Sequence, residues 1–421
     1  MVELLAPAGN FISLASALKN GADAVYIGLE ESNMRINASN FSVEDIKEAS
    51  RICREYDARL YVCANTIMKD RDIERLARQL PLIKENGADG IILSDIALID
   101  MVLENGLEAH MSVQENTTNF YALKALEKLG VKRAILSREL SLDEIKNMVS
   151  KLKSEDSKIQ TEVFIHGAMC MAISGRCFLS YGLYGRSANC GDCLQPCRKE
   201  WTLHFDERDS DDVINLAESK DESFIISQAY DNTYRTNFFS PKDMCMIEHI
   251  PELMESGVAS FKIEGRARSP DYGAMVTGIY REAIDDYLAN PRGYEVKDEW
   301  MDELTSVFNR GFDTNFYFNT PFETSEDNQS KYVKRDIGQV VNYYNRVKAA
   351  EIRIWDDLRI GDKIIIQGKT TGSITHTIDS MQIEGESVDS VEKGSNVAIA
   401  MPTKVRENDF IYKLVERENH D

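Results

Sequence analysis

Five of the chain's eight cysteines fall within 28 residues, at Cys170, Cys177, Cys190, Cys193 and Cys197. Cys170, Cys177, Cys193 and Cys197 are separated by six, fifteen and three intervening residues, and only Cys190 and Cys193 form a CxxC. Thiolates at short spacings, on glycine-containing loops that can fold around an ion, suit zinc or an iron–sulfur cluster. Structural zinc usually takes two CxxC-like knuckles, so this irregular spacing suits a cubane cluster at least as well. Cys53, Cys63 and Cys245 lie apart and read as buried bystanders.

Basic residues gather at the same place. Between Ile165 and Lys199 stand Arg176, Arg186, Arg198 and Lys199 against a single acidic residue. In a chain of net charge −21 this is a local reversal of sign. It can offset thiolate charge or hold an anionic substrate. The acidic remainder disfavours a broad non-specific nucleic-acid surface, which needs clustered Lys and Arg, and it aids solubility.

The 421 residues are 43% hydrophobic and 28% charged, an ordinary globular composition that can bury a core without disulfide staples. The first ten residues carry neither a basic n-region nor a long apolar run, and no stretch approaches a membrane span. The reading is a soluble, cytoplasmic protein without a membrane partner, whose clustered cysteines bind metal rather than pair.

The elements that must position these residues follow from the first 290, where short apolar runs alternate with amphipathic helical patterns. That alternation predicts a parallel sheet with crossover helices. Eight strands are read at Val2–Ala6, Ala24–Gly28, Arg59–Asn65, Gly90–Ser94, Glu108–Val113, Arg133–Ser137, Glu162–His166 and Ser260–Glu264. Ser42–Asp45 and Ser141–Glu144 read as capping boxes, and Ser269-Pro270 as a helix start. Gly21, Gly87, Gly106 and Gly257 read as helix stops. Gly21–Gly28 and Gly87–Leu93 echo one another, as repeated βα units would.

Eight units predict a (β/α)8 TIM-like barrel, with an open doubly wound sheet as the rival; no GxGxxG follows the first strand. A cysteine-rich insertion spans 167–242 within a barrel domain of 1–290. Its acidic stretch Asp206–Glu222 reads as a solvated loop. Residues 291–330 read as an irregular connection, and 331–421 as a small all-β barrel. Barrel active sites gather at the C-terminal strand ends, where Asn65, Asp95, Gln114, Arg138, His166 and Glu264 fall. Some of these could merely cap strands.

The chain resembles peptidase family U32 in Leu5-Ala-Pro-Ala-Gly-Asn10, Phe164-Ile-His-Gly-Ala-Met-Cys170, Ser174-Gly-Arg-Cys177, Cys193-Leu-Gln-Pro-Cys197-Arg198, Ser240-Pro-Lys-Asp243 and Phe261-Lys-Ile-Glu-Gly-Arg266. The resemblance spans residues 4–290, and the C-terminal segment is similar to the small β-barrel many members carry. It implies more than a peptidase: relatives include oxygen-independent hydroxylases that use a [4Fe–4S] cluster on tRNA wobble uridine, on a ribosomal-RNA cytidine or on ubiquinone. It further implies prephenate as hydroxyl donor, and Cys170, Cys177, Cys193 and Cys197 as cluster ligands. One departure stands out. Cys190 occupies a position where the family usually has arginine. That leaves open whether it is spare, redox-active or an alternative ligand.

Three functions compete. An iron–sulfur hydroxylase of an RNA base, tRNA or rRNA, would use His166 and Glu264 for proton transfer. Asn65, Asp95 and Gln114 would contact substrate, and Arg138, Arg176 and Arg266 would hold a dicarboxylate donor or an RNA phosphate. A peptidase finds no HExxH and no GxSxG, and would need Cys170 as a free nucleophile paired with His166. A non-catalytic maturation factor would fit a closed four-cysteine site.

Overall fold

A computed structural model describes residues 2–30, 32–36, 38–206, 213–218, 233–318, 323–325 and 328–417. Eight parallel strands order the first domain: β1 (Glu3–Pro7), β2 (Ala24–Gly28), β3 (Arg59–Ala64), β4 (Gly90–Leu93), β5 (Glu108–Met111), β6 (Arg133–Ile135), β7 (Gln160–Gly167) and β8 (Ser260–Ile263). Each pairs with the next, and β8 pairs with both β7 and β1, so the barrel closes. The open sheet is thereby excluded. Runs such as Ala24–Gly28 are buried at every residue because interior side chains and outer helices cover both faces.

The helices begin and end where the sequence signals lie. In α1 (Phe11–Lys19) the Asn10 side chain accepts from the Ser13 amide at 2.9 Å. Reciprocal capping opens α2 (Asp45–Glu55) through Ser42 and Asp45, and α6 (Leu142–Ser154) through Ser141 and Glu144. Between them run α3 (Asp70–Glu85), α4 (Leu98–Glu104) and α5 (Phe120–Lys128); α7 (Ile250–Ser256) and α8 (Pro270–Ala289) complete the ring. Gly21, Gly87, Gly106 and Gly257 all take positive φ, the conformation a helix stop requires.

The barrel interior is partly ionic. Arg133 joins Glu3 and Glu162, and Lys262 reaches Glu162 at 3.0 Å while lying 4.5 Å from the Tyr26 ring centroid. Removal of a single partner would strand a buried charge.

The insertion leaves β7 and returns as the short strand Asp243–Cys245, antiparallel to β7. The acidic loop expectation needs correction. Val213–Glu218 is a strand that pairs with Trp201–Asp206, and the rest of Asp206–Glu222 lies outside the described residues. The connection is also less irregular than its composition predicts. Helix α9 (Asp298–Ser306) buries Trp300 and Leu304, one turn apart, against the barrel core.

The C-terminal region is an antiparallel sheet with its own apolar core, including Ile337, Ile352, Ile366, Ile399 and Ile411. Its main strands are β9 (Tyr332–Tyr344), β10 (Ala349–Ile354), β11 (Lys363–Gly368), β12 (Gly372–Thr377), β13 (Asn396–Ala400) and β14 (Phe410–Glu416). Asp271 at the start of α8 accepts from Lys334 at 2.5 Å and Gln367 at 3.0 Å, which docks this sheet on the barrel. No helix among the described residues is long and apolar enough to cross a membrane.

Candidate active site

The C-terminal mouth of the barrel holds two neighbouring cavities. The inner one, about 80 Å³, is lined by Arg35, Arg138, Lys262, Glu264 and Arg266, with Cys170 at its edge. The outer one, about 400 Å³, is lined by Asp95, Glu115, Arg176 and Asn189 among others. Asn65 and Gln114 line both, and the Asn65 amide donates to the Gln114 side chain at 3.0 Å. The two cavities thus share this hydrogen-bonded amide pair and Gly175.

Glu264 is the lone carboxylate among the inner-cavity side chains named above. Arg35 lies 3.0 Å from it and the Tyr26 hydroxyl 3.4 Å. Burial alone would raise its pKa, but Arg35, Arg138, Arg266 and Lys262 together hold the carboxyl below its ordinary range. Arg138 donates to the Ala168 carbonyl at 2.7 Å and lies 3.9 Å from the Phe164 ring centroid. Arg266 is buried against Asn33, and its other terminal nitrogen has no hydrogen-bond partner. A Cβ at Gly28 would fall 1.4 Å from that nitrogen, so only glycine leaves room for it. Four cations around one carboxylate make a chamber suited to an anion.

His166 is not brought to this chamber. Strict alternation from Glu162 and Phe164 would point it inward. A register shift in the β7–β8 pairing sets it opposite Ile263 instead, which turns it toward the helices. There it is 2% exposed, 3.3 Å from the Tyr280 hydroxyl and ringed by Tyr272, Tyr280 and Phe312. Burial, with a smaller push from Arg268, lowers its pKa to about 3. Its side chain therefore packs among aromatic rings and does not line the inner cavity, where the sequence pattern predicts a proton-transfer group. Asp95 and Arg176 line the outer cavity only; Asp95 also accepts from the Ala97 amide at 3.0 Å.

The cysteine loops are held from several sides. Arg198, next to Cys197, donates to the carbonyl of Met169, next to Cys170, and to Pro241 at 2.7 Å. Asn189 accepts from the Cys177 amide at 2.9 Å, and Ser180 from the Leu194 amide at 3.1 Å. Gly191 takes φ +86° and a Cβ there would meet the Asn33 carbonyl at 2.1 Å. The Gln195 amide donates to the Cys193 sulfur at 3.3 Å.

Among the described residues no three His, Cys, Asp or Glu side chains already form a shell tight enough to hold a metal ion. The thiols nevertheless sit near enough to feel one another. Burial raises Cys197 to about 11, and the charges of Cys170, Cys193 and Cys177 add to the rise against Arg198. Cys193 is likewise raised by burial, with contributions from Cys170 and Cys177 opposed by Arg35. Cys190 is exposed. In their chemistry, four soft donors on pinned loops, an amide on one sulfur and two nearby guanidiniums fit an anionic iron–sulfur cluster.

Sequence reasoning missed Arg35 and Lys262. Arg35 follows β2 in a long loop at the C-terminal face, which was the available signal. Lys262 lies within a strand, where its charge reads as a misfit until the ionic interior is seen.

A closed parallel barrel with polar cavities at the carboxyl ends of its strands has the architecture of a TIM-barrel enzyme. The family model of peptidase family U32 matches residues 9–327, and the chain belongs to that family. An uncharacterized protease of Methanocaldococcus jannaschii is 44% identical over 99% of each chain. A collagenase of Porphyromonas gingivalis is 34% identical over 99% of this chain and 98% of its own. The tRNA hydroxylation protein P1 of Bacillus subtilis is 34% identical over 90% of this chain and 86% of its own.

Proposed function

We propose that the chain is a cytoplasmic iron–sulfur enzyme that hydroxylates an RNA base without oxygen, with tRNA as the first substrate class and rRNA as the second. One observation carries the reading: Cys170 lines the same cavity as Arg35, Arg138, Lys262, Glu264 and Arg266. A redox centre and an anion-binding chamber would thus share a wall. The similarity to a tRNA hydroxylation protein supports RNA as the substrate.

Cys170, Cys177, Cys193 and Cys197 would hold a [4Fe–4S] cluster, which supplies electron-transfer chemistry when bound. The arginines would seat a carboxylate of the hydroxyl donor, a dicarboxylate such as prephenate. Glu264, kept ionised by its neighbours, would orient those arginines and limit the chamber's net charge.

Protease names among the relatives favour peptide hydrolysis, but the pair a thiol peptidase would need is not assembled. His166 faces Tyr280 and the helix layer, whereas Cys170 faces the cavity. A maturation factor would need no polar chamber at the barrel mouth.

The test is mass spectrometry of tRNA and rRNA from a deletion strain. Loss of one hydroxylated base, restored by the wild-type gene but not by Cys170→Ala, is expected. Unchanged spectra in both RNA pools would overturn the reading.

A further inference from the structure

We propose that the outer cavity is the subsite for an extruded pyrimidine base, separated by the Asn65–Gln114 amide pair from an inner subsite for the anionic co-substrate. This rests on the RNA reading above and assigns its two substrates to two compartments. Enzymes that act on a base must take it out of the stack and read its edge in a pocket.

The two compartments sort charge oppositely. Around the inner one stand Arg35, Arg138, Lys262 and Arg266 against Glu264. The outer one carries Asp95 and Glu115 against Arg176 alone. An anion is therefore favoured inside and disfavoured outside. What suits the outer cavity is a neutral group rich in hydrogen-bonding edges.

Its shape agrees. The outer cavity is about five times the volume of the inner one, 400 Å³ against 80 Å³. Ile67 and Ile96 line it and are 59% and 62% exposed, although both are large apolar side chains. Apolar lips over a floor of Asn65, Gln114, Asp95 and Asn189 match a flat ring with polar edges. The Asp95 carboxylate accepts a ring N–H, and the Gln114 and Asn189 amides donate to ring carbonyls, while Asn65 gives its own amide hydrogens to Ser112 and Gln114. Asn189 also accepts from the Cys177 amide, so the same residue touches the base compartment and a cysteine loop.

The experiment titrates the anaerobically purified full chain with uridine and, separately, with malonate, by ligand-observed NMR. In Asp95→Ala the uridine affinity should fall about tenfold, the scale of one lost charged hydrogen bond, and in Ile96→Glu, which puts a charge on the apolar lip, it should fall too, with malonate unchanged in both. In Arg138→Gln the malonate affinity should fall and uridine should hold. Thermal melting confirms folding, which the exposure of Ile96 favours. Absent uridine binding to the wild type, or equal loss of both ligands in every variant, overturns the two-compartment assignment. Uridine binding with this pattern, in a protein whose deletion leaves RNA unchanged, keeps the compartments and defeats the hydroxylase reading alone.

Discussion

Arg35 and Glu264 form an ion pair of 3.0 Å across the barrel mouth, joining the loop after β2 to the end of β8. Arg138, Arg266 and Lys262 act on the same carboxylate. Glu264→Gln would leave these cations without their counter-charge, at a cost of about 3 kcal/mol. A lower melting temperature is expected, with partial recovery on adding malonate. Unchanged melting would show that the carboxylate does not neutralise the chamber.

The same carboxylate gives a pH dependence. Its folded pKa lies below the ordinary value of 4.5, so its stabilising contribution is complete above that value. The contribution is lost as pH falls through the depressed folded value. Acid unfolding of Glu264→Gln should therefore show a shallower dependence below about pH 4.5 than the wild type.

His166 acts in a different window. Its pKa is about 3 when folded against an ordinary 6.5, so the unfolded chain binds the extra proton between those values. Stability is complete above pH 6.5 and declines as pH falls toward 3. His166→Phe should flatten that slope in denaturant titrations and leave the proposed RNA hydroxylation unchanged; His110, also lowered by burial, leaves a residual slope. Loss of hydroxylation in a folded His166→Phe protein would return this residue to the chemistry.

Cys190 is exposed and lies outside the set of four cysteines proposed as ligands. Cys190→Ser should keep full iron content. Gly191→Ala, in contrast, forces a side chain into φ +86° and toward the Asn33 carbonyl, with strain of at least about 1–2 kcal/mol. Its iron content should fall although the barrel still folds. The reverse order of iron loss would make Cys190 a ligand.

Much of this was legible in the chain. Eight buried runs gave the barrel, helped by the glycines that stop the helices before β2, β4, β5 and β8. The strand-end rule brought Asn65, Gln114, Arg138 and Glu264 to the mouth. It failed at His166 because one bulge reverses the inside–outside alternation, and a bulge has no period to read. Arg35 stayed hidden because its partner is 229 residues away. The contact between Asn65 and Gln114, which line both cavities, is one that no local pattern encodes.

The most direct test of a cluster at Cys170, Cys177, Cys193 and Cys197 is iron and acid-labile sulfide per chain after anaerobic purification. Iron and sulfide in equal amounts, with broad visible absorption, are expected in the wild type and should drop sharply on alanine substitution at any of the four. A colourless wild-type protein without iron, or four variants that all retain it, would contradict the assignment.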